Sequence, residues 1–488
     1  MILYGLGKLG EGYRNSFIGG GWTAIQTKIR ASWDASFLGR AIAHEGEVQE
    51  AKEREIKGAW GQSVLFWLAT RYEWWALLLV ALVPFVPTMV CAAVALVAIF
   101  GWLVRWRSGG IGSGALPKLV LAFLVITFIY AITSVAARGS IQVWMIYAAF
   151  ISMFFVMMKT VDSEKRMFWV ATIFAVGGLL VSIYGILQYT TGFGANLGHA
   201  WIDEEMFAGG AFRAYSTFGN PNVLGTYLVL VIPITVGLLW HRLQEKKWMS
   251  AVFFAGCVGA MMLAMIFTQS RGCWLALMIS ALVFVIFVDK RFFALFILGL
   301  FLAPLVAPPQ IIERFMSIGN LGDTSTSYRV YIWLGTMNML DYFWLYGIGL
   351  GEAAFAQIYP FFQFSMVTTP HAHNIYLQAM VQMGIVGLVT VVAIIVAFLV
   401  VILRGYVNEG KGERKSVMAT LAEIRGESVA KKRSLRVIIA VSCMAGIVGF
   451  MLQGAFDYVW YNYRVFLIFW MVLALGAASA DLRRSKND

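Results

Sequence analysis

Charge is what this sequence lacks most. Asp, Glu, Lys and Arg make up only 13% of its 488 residues against 60% apolar, and the mean hydropathy is +0.74. A soluble globular chain carries about 25% charged residues, so most of this one must be solvated by lipid. Cysteine is scarce too. Cys91, Cys257, Cys273 and Cys443 all fall in or at the edge of apolar runs, which excludes a disulfide scaffold and leaves them as small hydrophobes. No Asp-x-Asp pair, glycine-rich phosphate loop, heptad run or internal repeat occurs. Nothing therefore points to nucleotide hydrolysis or to a metal-bridged sugar nucleotide. Met1 to Arg71 is mixed and charged, with no short apolar core ahead of a small-residue cleavage site, so no cleavable signal is expected.

What is present is a series of apolar runs. With about 20 residues per crossing as the ruler, spans are predicted at 74–86, 87–104, 117–136, 141–158, 166–187, 222–240, 248–268, 272–289, 291–307, 378–403, 436–456 and 463–480. The fold class is thus an all-α polytopic integral membrane protein with about twelve transmembrane helices. The first two spans are interrupted by Pro84 and Pro87 and fit either a short hairpin or one broken span. The expected organisation is a cytoplasmic segment 1–73, a membrane domain 74–480 and a cytoplasmic tail 481–488. Two polar, turn-rich interruptions, 188–221 and 308–377, cannot lie in hydrocarbon and are expected as extracytoplasmic loops, with 404–435 as a cytoplasmic one.

Sidedness follows from basic residues, which cytoplasmic loops retain. An N-terminus inside puts 32 of the 38 Lys and Arg residues on cytoplasmic segments. The other six are all arginine: Arg138, Arg213, Arg271, Arg314, Arg329 and Arg464. The net charge of +12 is therefore a topological signal and gives no reason to expect nucleic acid as a partner. Residues 404–436 read as a solvated loop near anionic lipid. Residues 43–58 alternate charge at helical spacing and predict a solvated helix, with a docking surface for a cytoplasmic partner as the alternative.

Arginine is costly at membrane depth unless it is paired, snorkels or faces water, and a supply of Arg without Lys points to planar, bidentate recognition of an anion such as phosphate. For Arg138 and Arg464 the plainer role of anchoring a helix end at the headgroups fits better. Arg271 heads a span within TQSRGCWLAL, and Arg213 precedes YSTFGNPN, a turn at a helix entry. Among the histidines, His44 and His241 fall on the inner side. His199 stands beside Asp203, Glu204 and Glu205 in an outer loop, where a solvated cluster outweighs a cation site. That leaves His371 and His373. Their His-x-His spacing could ligate zinc, but no third histidine or cysteine lies near, so no metal site is assigned. In the long outer loop, Ser325, Thr326 and Ser327 offer a helix N-cap ahead of Arg329. VYIWLGTMNMLDYFW is apolar enough to lie on the membrane or cover a cleft, and GIGLG at 347–351 gives a turn or a flexible connector.

Four stretches in order, FRAYSTFGNPNVLGTYL, TQSRGCWLAL, SYRVYIW followed by LYGIGLG, and HAHNIYLQAMVQMGIVG, resemble the O-antigen ligase and O-antigen polymerase superfamily of bacterial membrane glycosyltransferases. Arg271 with Leu275 is similar to that family's arginine pattern. His373 and Asn374, followed by Gly384 and Gly387, are similar to its histidine pattern. The resemblance spans roughly Arg213 to Gly387.

It implies a GT-C-like enzyme that takes a glycan from a polyprenyl diphosphate carrier, usually undecaprenyl diphosphate, and transfers it to a glycan, lipid or protein acceptor hydroxyl. The transfer would occur on the outer face of the bacterial cytoplasmic membrane, in cell-surface polysaccharide biosynthesis, with no metal and no cofactor. His373 would be the catalytic residue, helping the acceptor attack. Arg271 would hold the diphosphate, Arg213 and Arg329 would bind diphosphate or sugar more loosely, and His371 and Asn374 would support the substrate site. His371, two residues from His373, would point to another face of a helix. The alternative is a transporter or flippase of lipid-linked oligosaccharide, which would show inverted-repeat halves and a charged midplane cavity. Polymerase and ligase share the same donor chemistry.

Overall fold

The computed structural model describes residues 68–105, 114–194, 212–289, 324–364, 366–414 and 433–482, with isolated positions 293, 297, 298 and 312. It divides into two units. Met1–Thr70 with Arg105–Gly110 has four described residues, and the helices belong to the other unit, Arg71–Val104 with Ile111–Asp488. The helices are α1 (Tyr72–Leu82), α2 (Thr88–Val104), α3 (Ala115–Ile132), α4 (Ala137–Thr160), α5 (Glu164–Thr191), α6 (Pro221–Gln244), α7 (Trp248–Phe267), α8 (Arg271–Val288), α9 (Thr324–Phe343), α10 (Gly351–Ile358), α11 (Ile375–Arg414), α12 (Leu435–Gly454) and α13 (Tyr463–Asp481). Among the described residues, nine are long and apolar enough to cross a membrane: α3 to α8 and α11 to α13. The shorter α1 and α2 pack on each other, which decides between the two forms expected for 74–104 in favour of the hairpin. The span expected at 291–307 and the cluster at His199 and Asp203 to Glu205 lie outside the described residues, apart from positions 293, 297 and 298.

A helix that is apolar all round must be enclosed. In α6, α12 and α13, 83% of the spanning window is buried within the protein, against 33% in α3 and α7 and 28% in α8, so the first three form the centre and the others face lipid. Lipid offers no hydrophobic drive between helices, and close approach of backbones supplies the packing instead. On α12, a Cβ at Gly449 would lie 2.8 Å from the Ala276 carbonyl of α8, so only glycine allows that contact. α6 starts where the Asn220 side chain accepts from the amides of Asn222 and Val223, with Pro221 at its first position.

α11 is broken at Gly384, whose φ of 59° and ψ of −168° lie outside the helix. The break frees backbone groups that must find partners. The carbonyls of Val381 and Gln382 accept from the amides of Ile348 and Gly349 at 2.8 and 3.0 Å, and the amide of Ile385 donates to the Trp344 carbonyl at 2.7 Å. A Cβ on Gly384 would overlap the Leu345 carbonyl. GIGLG is therefore no loose connector but the complement of a helix break. Ser134 and Ser140 donate to the carbonyls of Ile348 and Leu350 at 3.1 and 2.7 Å, pinning the same segment to the α3–α4 turn. A second small core of Met339, Ile348, Phe355, Tyr359, Ala372 and Val381 sits beneath it. α9 begins at Thr324, so Ser325, Thr326 and Ser327 form its first turn rather than standing ahead of it.

Short turns at 133–136, 161–163, 245–247, 268–270 and 455–462 make successive spans antiparallel and sort the chain into two ends. One end gathers the α3–α4, α7–α8 and α12–α13 turns with the starts of α6 and α11. The opposite end gathers the α4–α5 and α6–α7 turns and the start of α12, where Lys159, Lys165, Arg166, Arg242, Lys247 and Arg433 stand.

Candidate active site

The α12–α13 turn supplies a residue that the sequence reading passed over. Asp457 is only 3% exposed. Its Oδ1 accepts from the Tyr458 amide at 2.8 Å and lies 3.1 Å from Nδ1 of His373. A carboxylate buried without a partner costs several kcal/mol, and the imidazole is the partner here. Burial pushes the Asp457 pKa up. The hydrogen bond to His373 and the attraction of His373, Arg329 and His371 outweigh burial and hold it below the usual carboxylate value.

His373 is brought there by backbone geometry that a helix would not give, with φ at 46° in the left-handed region. The next residue caps α11. Asn374 Oδ1 accepts from the amides of Tyr376 and Leu377 at 2.9 and 3.0 Å, while its Nδ2 donates to the Ala455 carbonyl at 2.9 Å. Asn374 and the His373–Asp457 pair thus tie the start of α11 to the α12–α13 turn in two places. His371 does not point away, as helical spacing would require. Its ring lies 4.3 Å from that of His373, its Nδ1 accepts from the His373 amide at 3.3 Å, and it stacks on Tyr461 at 4.8 Å and 17°. The segment is an extended turn, and in a turn i and i+2 can meet. Burial pushes the His371 pKa well below the usual imidazole value, His373 adds to this, and Asp457 opposes it.

Three arginines stand on other elements around this turn. Arg213 donates through Nε to the Thr268 carbonyl at 2.8 Å and through Nη2 to Asn222 Oδ1 at 3.0 Å, an oxygen that Ser270 Oγ also reaches at 2.9 Å. Arg271 opens α8, half-buried, and a Cβ on the adjacent Gly272 would overlap Gln453 Oε1, so this first turn abuts the end of α12 just before Asp457. Arg329, in the second turn of α9, lies within electrostatic reach of Asp457. Cys273, early in α8, feels both Arg213 and Asp457.

Arg464 departs from the headgroup role expected of it. It faces inward and donates to the carbonyls of Thr217 at 2.9 Å and Pro84 at 3.4 Å, because two turns crowd the start of α13. Arg138 is exposed at the start of α4, where a headgroup anchor would stand. Among the described residues, no three of His, Cys, Asp and Glu group closely enough to hold a metal ion.

Residues 256–392 match the family model described as O-antigen ligase. That match supports membership of the O-antigen ligase and polymerase superfamily. No curated protein matches the chain. The match supports a glycosyltransferase-type enzyme of polysaccharide biosynthesis, and together with the apolar helices it points to a bacterial inner-membrane protein. The matched stretch runs from α7 into α11 and contains Arg271, Arg329, His371, His373 and Asn374. Arg213 and Asp457 lie outside it on either side, and the fold brings them to the same place. One signal for Asp457 stood in the sequence, as it is the one acidic residue between Val437 and Ala480. An isolated carboxylate at membrane depth is a functional candidate.

Proposed function

We propose that this protein transfers a glycan from a polyprenyl diphosphate carrier, undecaprenyl diphosphate in the family's usual form, to an acceptor hydroxyl on the extracytoplasmic face of the bacterial membrane. It acts there as a ligase or polymerase of surface polysaccharide. The observation that carries this reading is the 3.1 Å contact between His373 Nδ1 and the buried Asp457. With Asp457 ionised, the hydrogen sits on Nδ1 and Nε2 is left as the acceptor. The acceptor hydroxyl gives its proton to Nε2 while its oxygen bonds to the anomeric carbon. The anomeric C–O bond to the diphosphate breaks, and the carrier diphosphate leaves with the electron pair. Arg271 grips that leaving group, with Arg213 and Arg329 adding positive field, so developing charge meets fixed guanidinium groups and neither a metal nor a cofactor is used. His371 and Asn374 hold His373 in position.

The basic residues at the opposite end support termini on the cytoplasmic side and a GT-C-like bundle of about twelve spans. Reconstitution in liposomes with a lipid-linked glycan and a hydroxyl acceptor tests the reading. Transfer to the acceptor without net movement of the carrier is expected. Translocation without transfer would instead favour a flippase.

A further inference from the structure

A cavity of about 450 Å³ opens beside the candidate active site, lined by Pro87, Thr88, Thr217, Tyr461, Asn462 and Arg464. Tyr461 forms its partition, since the ring that stacks on His371 also lines this space. Three features give the cavity one electrostatic character. A guanidinium has five N–H donors, and Arg464 places two of its nitrogens on backbone carbonyls, leaving donor capacity on the group. Among the described residues no carboxylate pairs with it. The first residues of two long helices also meet here. Thr88 opens α2, while Tyr463 and Arg464 open α13 behind Asn462, whose side chain caps the Val465 amide. Helix starts carry partial positive charge and outward-facing amides, and such ends favour anions.

Arg464 is half-buried, bonded to two carbonyls and 4.8 Å from the centre of the Phe218 ring, and because these partners are all uncharged and no carboxylate pairs with it among the described residues, its positive charge is not neutralised. We propose that this cavity is an anion pocket for a phosphoryl group, carried on a lipid headgroup or as free phosphate, and separate from the arginines around Asp457. Phe85 at its rim is exposed and gives an apolar flank suited to a lipid chain.

The test uses the full chain in detergent, followed by native mass spectrometry with dioleoyl phosphatidic acid and, as the phosphate-free control, dioleoylglycerol. Phosphatidic acid should be retained at least about tenfold better than dioleoylglycerol. Arg464→Gln should abolish that preference, and so should Thr88→Trp, which fills the cavity while leaving the arginine in place and decides the matter if Arg464→Gln does not fold. Arg271→Ala should leave the preference intact. Competition by millimolar inorganic phosphate identifies a free-phosphate site, and its failure to compete identifies a lipid headgroup site. Equal retention of the two lipids overturns the proposal. So does a preference that survives both pocket variants, or one lost only with Arg271→Ala, which would place the binding at the transferase site instead.

Discussion

At the end of the bundle where α6 meets α7, Arg242 and Lys247 pair with Glu245 at 2.6 and 3.1 Å, and at the α4–α5 turn Arg166 meets Asp162 at 2.8 Å. These partners stand within four residues of one another, most are exposed or half-exposed, and such pairs are worth at most about 1 kcal/mol each; the longer-range exception at this end is Arg433, 3.8 Å from the buried Glu409. At the other end the partners come from far apart in the chain. His373 finds Asp457, Arg213 finds Asn222 and Thr268, and Arg464 finds Thr217 and Pro84, all at least partly buried. Local pairs at a surface cost little and do little. Distant charges gathered into a poorly solvated turn are costly to assemble, and their persistence points to work done there.

The sharpest way to break this contrast is to ask which end faces out. Met366 and Met249 are 84% and 87% exposed at opposite ends, and the four native cysteines are buried. In intact cells, Met366→Cys should react with an impermeant thiol reagent and Met249→Cys only after lysis. The reverse pattern would turn the transferase inside out. Arg271 comes next. If it grips diphosphate with a planar fork, Arg271→Ala should lose on the order of 10²- to 10³-fold in transfer rate, and Arg271→Lys should remain badly impaired because a point charge cannot make two parallel bonds. Near-normal transfer by the lysine variant would reduce Arg271 to a general positive field.

Away from the chemistry, Gly384→Ala should destabilise the protein by more than about 2 kcal/mol, since it combines a positive φ with an overlap on the Leu345 carbonyl. Thermal unfolding in detergent reads this out, and an unchanged transition would mean the break in α11 is not held by GIGLG. The smallest effect concerns pH. His371 is held neutral by burial, so its contribution to stability is complete above the unfolded imidazole pKa of about 6.5 and declines as pH falls below it. Asp457, whose pKa is depressed, loses its share only at pH values under the normal carboxylate range. Between about pH 7 and pH 5 the melting temperature should therefore fall, and His371→Phe, which preserves the stack on Tyr461, should flatten that slope.

The spans from α3 to α8, with α12 and α13, were legible within a few residues because hydropathy is a local property and lipid enforces it. The arginines and histidines of the candidate site were legible as residue types in a pattern. Their arrangement was not. Spacing separates His371 from His373 only if the segment is helical, and the left-handed φ of His373 removes that premise. The glycines of GIGLG look like slack until Gly384 breaks α11 and exposes carbonyls for them to cover. Asp457 stands 84 residues beyond its partner, and no local pattern announces a contact across that distance.

The most direct measurement is a double-mutant cycle on that contact, with purified protein, a lipid-linked glycan and a hydroxyl acceptor. His373→Ala should bind donor but transfer on the order of 10²- to 10⁴-fold more slowly, and Asp457→Asn should also be severely slowed because the imidazole loses its orienting acceptor. If the two act as one unit, the double variant is no slower than His373→Ala alone. Losses that multiply, or a His373→Ala variant that keeps more than about a tenth of the rate, would contradict the assignment.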